Sequence, residues 1–221
     1  MLARIVSALL AFFGSGVPAD AASREELFWA WFDRHQDAYF ALDPSDRAAT
    51  EKLFNELTGR LQAVDENLTF EFGPQKDGKR ELVISADGMR SSFPAVLSLA
   101  AAAPRLPRWK ITAFRPRRYP VLAIEIGGAA LDPRRISVRM EADGPKIDLT
   151  IYLAGYTEPE RSKVAQGVYL LLDEALGEYD VETKVGAIAF EALGPVPPPD
   201  SAALSELAQA FDDMISAKTI H

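Results

Sequence analysis

The sequence contains no cysteine and only two histidines, His35 and the terminal His221. Without cysteine, the chain has no disulfides, no cysteine nucleophile and no thiolate ligand for a metal. Two histidines are also too few for a zinc centre built from histidine side chains. We therefore predict that the protein has no metal site and no cofactor.

Long apolar runs are missing as well, because none approaches the roughly 20 residues that cross a bilayer as a helix. Basic residues are outnumbered, with 24 Lys and Arg against 32 Asp and Glu, so the net charge is -8. General nucleic-acid binding normally needs a basic surface, and we exclude it as the overall function. The chain does have enough apolar side chain to bury a core, at 48% of 221 residues.

Residues 1–21 have the features of a leader. Arg4 precedes the apolar stretch 5–13, and Ala19-Asp20-Ala21 has the small-x-small form of a signal-peptidase site. Cleavage after Ala21 predicts an exported or periplasmic protein. The alternative is a short amphipathic leader on a cytoplasmic protein. We divide the remaining chain into an α+β domain over residues 22–193 and a connector with a C-terminal helix over residues 194–221.

From residue 68 onward, the chain shows a strand-strand-helix-strand pattern twice. The first copy covers 68–72, 81–85, a helix from about 93 and 109–114, and the second covers 136–141, 147–153, a helix from about 158 and 185–190. Apolar residues alternate along these strands, and a glycine-containing turn joins the first two strands of each copy. We predict an α+β fold with one mostly antiparallel sheet of about six strands and flanking helices. The pattern also suggests a duplicated unit.

Helices are predicted on both sides of this region. Ser23 and Glu26 have the spacing of a capping box, at the start of an aromatic-rich helix that ends near Ala41. Asp43-Pro44 reads as the start of a second helix. The proline-rich segment 194–199 leads to an amphipathic helix over 201–218. That last helix either packs on its own sheet or joins the chain to a second copy.

The sequence matches two catalytic motifs only in part. Residues 73–79 match the start of a phosphate-binding loop, but Arg80 replaces the required Ser or Thr, and a strand follows instead of a helix. A serine-hydrolase triad needs a base beside its nucleophile, whereas His35 lies within the aromatic helix. We interpret both features as structural.

Carboxylates offer another route to catalysis. Glu71, Glu81 and Asp87 lie on neighbouring predicted strands or directly after them. Two carboxylates at a suitable separation can act as general acid and base. The alternative is that these residues simply occupy the solvent-facing side of a sheet.

The strongest functional signal is a basic stretch inside an acidic chain. Residues 88–124 contain no Asp or Glu but seven basic residues: Arg90, Arg105, Arg108, Lys110, Arg115, Arg117 and Arg118. The last three follow a predicted strand that begins with Trp109. Guanidinium groups bind carboxylate or phosphate through paired hydrogen bonds, so Trp109, Arg115, Arg117 and Arg118 are candidate anion-binding residues. The alternative is that these arginines pair with acidic residues of the same chain.

Several segments together resemble an uncharacterised family of bacterial proteins. The similar segments are 28–32 (FWAWF), 68–74 (LTFEFGP), 78–88 (GKRELVISADG), 93–96 (FPAV), 106–109 (LPRW) and 113–117 (AFRPR). The resemblance covers about the first half of the chain and includes no catalytic signature. It implies no activity, but it supports testing Glu71, Asp87, Trp109 and Arg115.

Three functional hypotheses follow. The first is a non-catalytic binding or interaction protein that presents a basic surface to a small anion or to an acidic protein partner. The second is an enzyme that uses Glu71, Glu81 or Asp87 as acid/base residues. The third is a subunit of a homo-oligomer joined through the C-terminal helix, which would dissociate when the chain is cut at Gly194.

Overall fold

Three separate small sheets, rather than one, organise the residues that the computed structural model describes, 22–126 and 128–219. The leader predicted over residues 1–21 lies outside the described residues. Within these described residues six α-helices accompany the sheets, so the α+β class is confirmed. None of the described helices is both long and apolar enough to cross a membrane.

The first unit runs from α1 to β3. Its elements are α1 (Arg24–Phe40), α2 (Arg47–Gln62), β1 (Thr69–Phe72), β2 (Arg80–Ser85), α3 (Phe93–Ala101) and β3 (Trp109–Ala113). Strands β1 and β2 form an antiparallel hairpin, and α3 then returns the chain so that β3 lies parallel to β2.

The second unit runs from β4 to α6. Its elements are β4 (Ile124–Ile126), β5 (Ala129–Leu131), β6 (Ser137–Asp143), β7 (Lys146–Leu153), α4 (Arg161–Leu176), α5 (Glu178–Lys184), β8 (Val185–Ala192), β9 (Ser201–Ala203) and α6 (Leu207–Thr219). The larger sheet has the order β8-β7-β6-β9, with β6 antiparallel to β7 and β8 parallel to β7. Strands β4 and β5 form a separate hairpin that packs on α4.

The two units share one strand arrangement. In each, a central strand pairs antiparallel with the strand before it and parallel with the strand that follows the crossover helix. The same backbone hydrogen bond closes both: Phe114 N–H donates to the Ile84 carbonyl at 2.8 Å, and Leu193 N–H donates to the Leu153 carbonyl at 2.8 Å.

The prediction of a single continuous sheet of about six strands is wrong. The two units have separate apolar cores, one around the aromatic residues of α1 and the other between the larger sheet and α4 and α6. The first sheet ends at β3 because the residues that follow, 115–118, make ion pairs and hydrogen bonds with the second unit instead of continuing a β-ladder.

Local signals at the helix ends were partly correct. The capping box is confirmed, since Glu26 N–H donates to Ser23 Oγ at 3.1 Å and Ser23 N–H donates to Glu26 Oε2 at 2.8 Å. The second helix begins later than Asp43-Pro44 predicted, because Asp46 is the residue whose side chain caps it.

The C-terminal elements complete the second core. Leu207 and Phe211 of α6 are fully buried there, and Met214 and Ile215 pack against the same cluster. Strand β9 pairs with β6. The apolar side of α6 therefore faces its own unit.

Candidate functional site

The two units meet along a seam of mainly polar contacts, where the Tyr179 ring of α5 also packs against Phe93 and Phe114. From the first unit the seam takes the loop 86–88 and the segment 114–118, and from the second it takes α4 and α5. Gly177, with φ at 83°, turns the chain between α4 and α5 and brings α5 against the segment 114–118. Few residues other than glycine adopt that backbone conformation without strain.

Glu178 lies at the centre of this seam and is fully buried. Its Oε1 atom accepts hydrogen bonds from the backbone N–H groups of Ala86 at 3.1 Å and Gly88 at 3.3 Å. Its Oε2 atom accepts from the backbone N–H of Arg115 at 3.0 Å. Buried carboxylates are costly unless they are hydrogen-bonded, and these three donors meet that requirement.

Arg115 connects carboxylates from both units. Its guanidinium donates a hydrogen bond from Nε to Glu71 and forms ion pairs with Asp87 at 2.8 Å and Asp173 at 3.6 Å. Only 15% of the Arg115 side chain is exposed. Burial alone would lower the pKa of Arg115, but the bonds to Glu71 and Asp87 outweigh it and leave that pKa raised. Arg115 is therefore a charged group that is already neutralised within the protein.

Arg117 and Arg118 are paired in the same way. Arg117 contacts Asp212 at 2.7 Å and Asp180 at 2.9 Å, and its Nε donates to the Leu176 carbonyl at 2.7 Å. Arg118 contacts Glu71 at 3.1 Å. All three predicted anion-binding arginines thus have partners within the chain, and two of them cross the seam to acidic residues of the second unit.

A cleft of about 410 Å³ opens beside Arg115 on the seam. The loop after β2 lines one side with Asp87, Gly88 and Met89, and the other side comes from Gln166, Tyr169, Leu170, Asp173 and Glu182 of α4 and α5. Asp87 and Gly88 both have positive φ, at 51° and 79°, in the turn that forms the first side. Of these lining residues, three are acidic and none is basic.

Asp173 has the most altered protonation behaviour in the cleft. Burial is the main reason that its pKa rises from 3.8 to about 7, and the nearby charge of Glu178 adds to the rise. Arg115 opposes the rise, while Glu182 and Asp87 increase it further. The pKa of Glu182 is also raised, first by burial and then by Glu178, against the influence of Arg90 and Lys146. The cleft therefore holds carboxyl groups that do not ionise as readily as free ones.

The structure brings some of the site residues predicted from the sequence together and leaves others apart. Glu71, Asp87, Arg115 and Arg118 come together at the seam, where Glu71, Arg115 and Arg118 also line a smaller adjacent pocket of about 110 Å³. Glu81 is not part of either cavity. Burial raises the pKa of Glu81, but hydrogen bonds from Lys110 and Thr112 outweigh that effect and lower it overall.

Trp109 lies in the first apolar core. Only 6% of the residue is exposed, and its ring packs against those of Phe32, Phe40 and Phe72. Its role in the structure is to fill the space between α1 and the first sheet.

Sequence reasoning missed the contribution of α4 and α5. Gln166, Tyr169 and Asp173 recur at spacings of three and four residues, which places them on one side of α4. That spacing in the sequence could have indicated that these three residues share one surface. Glu178 and Glu182, four residues apart on α5, carried the same kind of signal.

Among residues 22–126 and 128–219, no group of three or more His, Asp or Glu side chains has an arrangement that suits a metal ion. Comparisons of the chain with protein-family models, with curated proteins and with solved structures found no match.

Proposed function

We propose that this protein is a small-molecule-binding protein whose seam cleft takes an organic cation, such as an amine with an apolar portion. The single observation that carries this proposal is the 410 Å³ cleft with Asp87, Asp173 and Glu182 on its walls and no basic side chain among its lining residues. Its size falls within the usual range of small-molecule sites, roughly 300–1,000 Å³.

Charge favours a cationic ligand. Asp87 and Glu182 lie close enough to Asp173 to raise its pKa by charge repulsion, in addition to the larger effects of burial and Glu178. A bound ammonium or guanidinium group relieves that repulsion by favouring the ionised carboxylates. Binding near neutral pH should therefore release protons from the cleft.

The remaining walls suit an apolar portion of the same ligand. Met89, Tyr169 and Leu170 are large side chains that stay 49%, 43% and 36% exposed, and all three line the cleft. Exposed apolar side chains that cluster around a cavity often mark a binding surface. The Tyr169 ring additionally offers a face on which a cation can be held.

This proposal keeps the binding class expected from the sequence but changes the sign of the ligand. An anion at Arg115, Arg117 or Arg118 must displace carboxylates that already contact these arginines. The anionic-ligand hypothesis at that surface stays a prediction. In the cleft, Asp87 and Asp173 also contact Arg115, but Glu182 forms no ion pair among the described residues and can accept a cation without opening one.

Isothermal titration of the protein with phenethylamine tests the proposal. We expect saturable binding at pH 7, with a heat that depends on the buffer because protons are released, and weaker binding by Asp173→Asn and Glu182→Gln. Glu51→Gln, an exposed position on α2, is the matched control and should bind as the parent protein does. Equal binding of the neutral analogue 2-phenylethanol, or equal binding by all variants, would count against a cation site.

An enzyme is the second candidate, because one observation favours it. A carboxyl group with a pKa of about 7, as at Asp173, is suited to act as a general acid or base at neutral pH. Asp87 contacts the same Arg115 guanidinium as Asp173 does. If a bound amine is chemically converted, Asp173→Asn should abolish turnover and remove the inflection near pH 7, while an unreactive ligand still binds. Turnover that survives this substitution would rule out Asp173 as the acid/base group.

We also infer that the two units descend from one duplicated strand-strand-helix-strand element. The shared strand order, the shared directions and the equivalent hydrogen bonds of Phe114 and Leu193 support this inference. The oligomer hypothesis receives less support, since the buried residues of α6 lie in its own core. Light scattering before and after cleavage at Gly194 tests it.

A further inference from the structure

A second cavity lies away from the seam, between α1 and the end of α2. It has a volume of about 160 Å³ and is lined by Arg24, Leu27, Phe28, Arg60, Ala63 and Val64. Typical drug-sized sites are larger, so this cavity suits a ligand of only a few heavy atoms. Its wall combines two guanidinium groups with apolar side chains.

Both arginines are held in place by contacts that leave their charge unneutralised. Arg24 donates from Nη1 to the Val64 carbonyl at 3.2 Å, and the Arg60 guanidinium lies 5.2 Å from the centre of the Trp31 ring. Neither arginine forms an ion pair with any carboxylate in the described part of the chain. This contrasts with Arg115, Arg117 and Arg118.

Two acidic groups near Arg24 make hydrogen bonds of their own. Arg24 influences the pKa of Glu25 and of Asp65, but only weakly compared with their hydrogen bonds. Glu25 accepts from Ser98 Oγ at 2.9 Å, and Asp65 accepts from the Asn67 N–H at 3.0 Å. Neither carboxylate forms an ion pair with Arg24, so its guanidinium remains available to an external anion, as does that of Arg60, which has no ion pair among the described residues.

The apolar side of the cavity is open to solvent. Leu27 is 61% exposed, although the neighbouring residue Phe28 is buried in the first core. Ala63 and Val64 complete this wall. A ligand that pairs a carboxylate with a short alkyl chain matches both sides, because the guanidinium groups bind the carboxylate and the alkyl chain covers Leu27.

We propose that the cavity between α1 and α2 is a second binding site, specific for short-chain organic carboxylates. It is independent of the seam cleft, shares no lining residue with it and takes a ligand of the opposite charge. The anion chemistry suggested by the arginine-rich sequence 88–124 is thus assigned to two arginines outside that stretch.

Titration of the full chain with sodium pentanoate, followed by NMR of the tryptophan indole resonances and by calorimetry, tests this site. We expect saturable binding that shifts the Trp31 indole signal, because Arg60 covers that ring. Acetate should bind at least about fivefold more weakly because it lacks the alkyl chain. Pentylamine should not shift the Trp31 signal.

Variants identify the residues. Arg24→Gln and Arg60→Gln should each weaken pentanoate binding about fivefold or more, whereas Arg24→Lys and Arg60→Lys should retain part of it. Arg34→Gln on α1 and Arg47→Gln on α2 remove the same charge from exposed positions outside the cavity and should leave the affinity unchanged. Asp173→Asn should also leave it unchanged, which separates this site from the cleft.

Two results would overturn the proposal. One is the absence of saturable pentanoate binding to the parent protein. The other is equal loss of affinity in Arg24→Gln, Arg60→Gln and the two control variants, which would show a diffuse charge effect instead of a site.

Discussion

Glu178 and Arg115 exchange two hydrogen bonds across the seam between the units. The Glu178 Oε2 atom accepts the Arg115 backbone N–H at 3.0 Å, and the Glu178 backbone N–H donates to the Arg115 carbonyl at 3.1 Å. Together with its neighbouring ion pairs, and with the Tyr179 ring that packs against those of Phe93 and Phe114 at 5.9 and 5.2 Å, this reciprocal contact fixes α5 against the first unit. The side of the cleft that α5 forms therefore depends on both polar and aromatic contacts across the seam.

The first prediction concerns Glu178. Replacing it with Ala leaves the backbone N–H groups of Ala86, Gly88 and Arg115 without their acceptor, the first in a buried position and the other two in partly buried ones. Each buried donor left unsatisfied costs about 1–3 kcal/mol, and a partly buried donor costs less because water can reach it, so we expect a loss of about 2–4 kcal/mol in the free energy of unfolding. Urea denaturation measures this loss.

Glu178→Gln provides a graded comparison, since it retains one acceptor oxygen and should cost less than Glu178→Ala. Glu51→Ala removes an exposed carboxylate from α2 and should change the free energy of unfolding by less than about 0.5 kcal/mol. A loss in Glu178→Ala no greater than in this control would mean that the seam does not depend on the buried carboxylate.

The second prediction concerns the pH dependence of stability at Asp173. Its pKa is about 7 in the folded protein and near 3.8 when the group is free, so the folded state retains a proton that the unfolded state loses. The contribution of Asp173 to stability must therefore fall as the pH rises from about 4 to about 7. Because Asp173→Asn does not ionise, it should gain stability relative to the parent at pH 8, on the order of 2–4 kcal/mol.

Denaturation of both proteins at pH 5 and pH 8 checks the sign. The difference between variant and parent should increase toward pH 8. Asp77→Asn, at an exposed turn, is the control and should show the same pH dependence as the parent. A difference for Asp173→Asn that is constant between the two pH values would contradict the raised pKa.

Sequence reasoning succeeded where the signal is local. Alternating Leu82 and Ile84 correctly predicted a strand, and both residues are fully buried in the first core, although Val83 between them is fully buried too, so the strand is covered on both sides. The spacing of Ser23 and Glu26 likewise predicted the helix start. Side-chain period and capping depend on residues a few positions apart, so they can be seen in the sequence.

Sequence reasoning failed where a residue or strand contacts a partner that lies far along the chain. Alternation shows that residues 109–113 form a strand, but not that this strand lies parallel to β2 and ends the first sheet. Arg115 is recognisable as a cation, yet its partner Glu71 lies 44 positions away. The Arg115 backbone N–H reaches Glu178, 63 positions away. Charge pairing across a seam depends on how two folded units meet, and a linear pattern does not encode that directly.

The third prediction concerns Arg115. Arg115→Met removes the cation that Glu71, Asp87 and Asp173 share, and leaves these carboxylates to repel one another. Because Arg115 holds down the pKa of Asp173, that pKa should rise further in the variant. We expect a loss of about 2–4 kcal/mol at pH 8 and a smaller loss at pH 5, where more of the carboxyl groups are protonated.

Arg105→Met is the matched control, since it removes an exposed arginine from the same basic stretch. It should change stability little at either pH, as measured by urea denaturation. A pH-independent loss in Arg115→Met would show that the side chain acts through packing alone and not by neutralising the carboxylates.

The fourth prediction concerns a bulge in the second sheet. Asp148 of β7 lies opposite two residues of β8, Gly186 and Ala187, and its Oδ1 atom accepts the Ala187 N–H at 2.7 Å. A methyl group at Gly186 would overlap the Asp148 carboxylate. Gly186→Ala should therefore destabilise the protein by about 1 kcal/mol, because the Asp148 side chain must turn away and give up its hydrogen bond to Ala187, and it should also disturb the bulge.

A double-mutant cycle isolates this contact. In an Asp148→Ala background the overlapping carboxylate is gone, so adding Gly186→Ala should cost clearly less than it does in the parent. Gly194→Ala is the control, because a methyl group there would make only an ordinary contact with the Val196 carbonyl. If Gly186→Ala costs the same with and without Asp148, the requirement for glycine comes from the backbone of the bulge, and the carboxylate does not determine it.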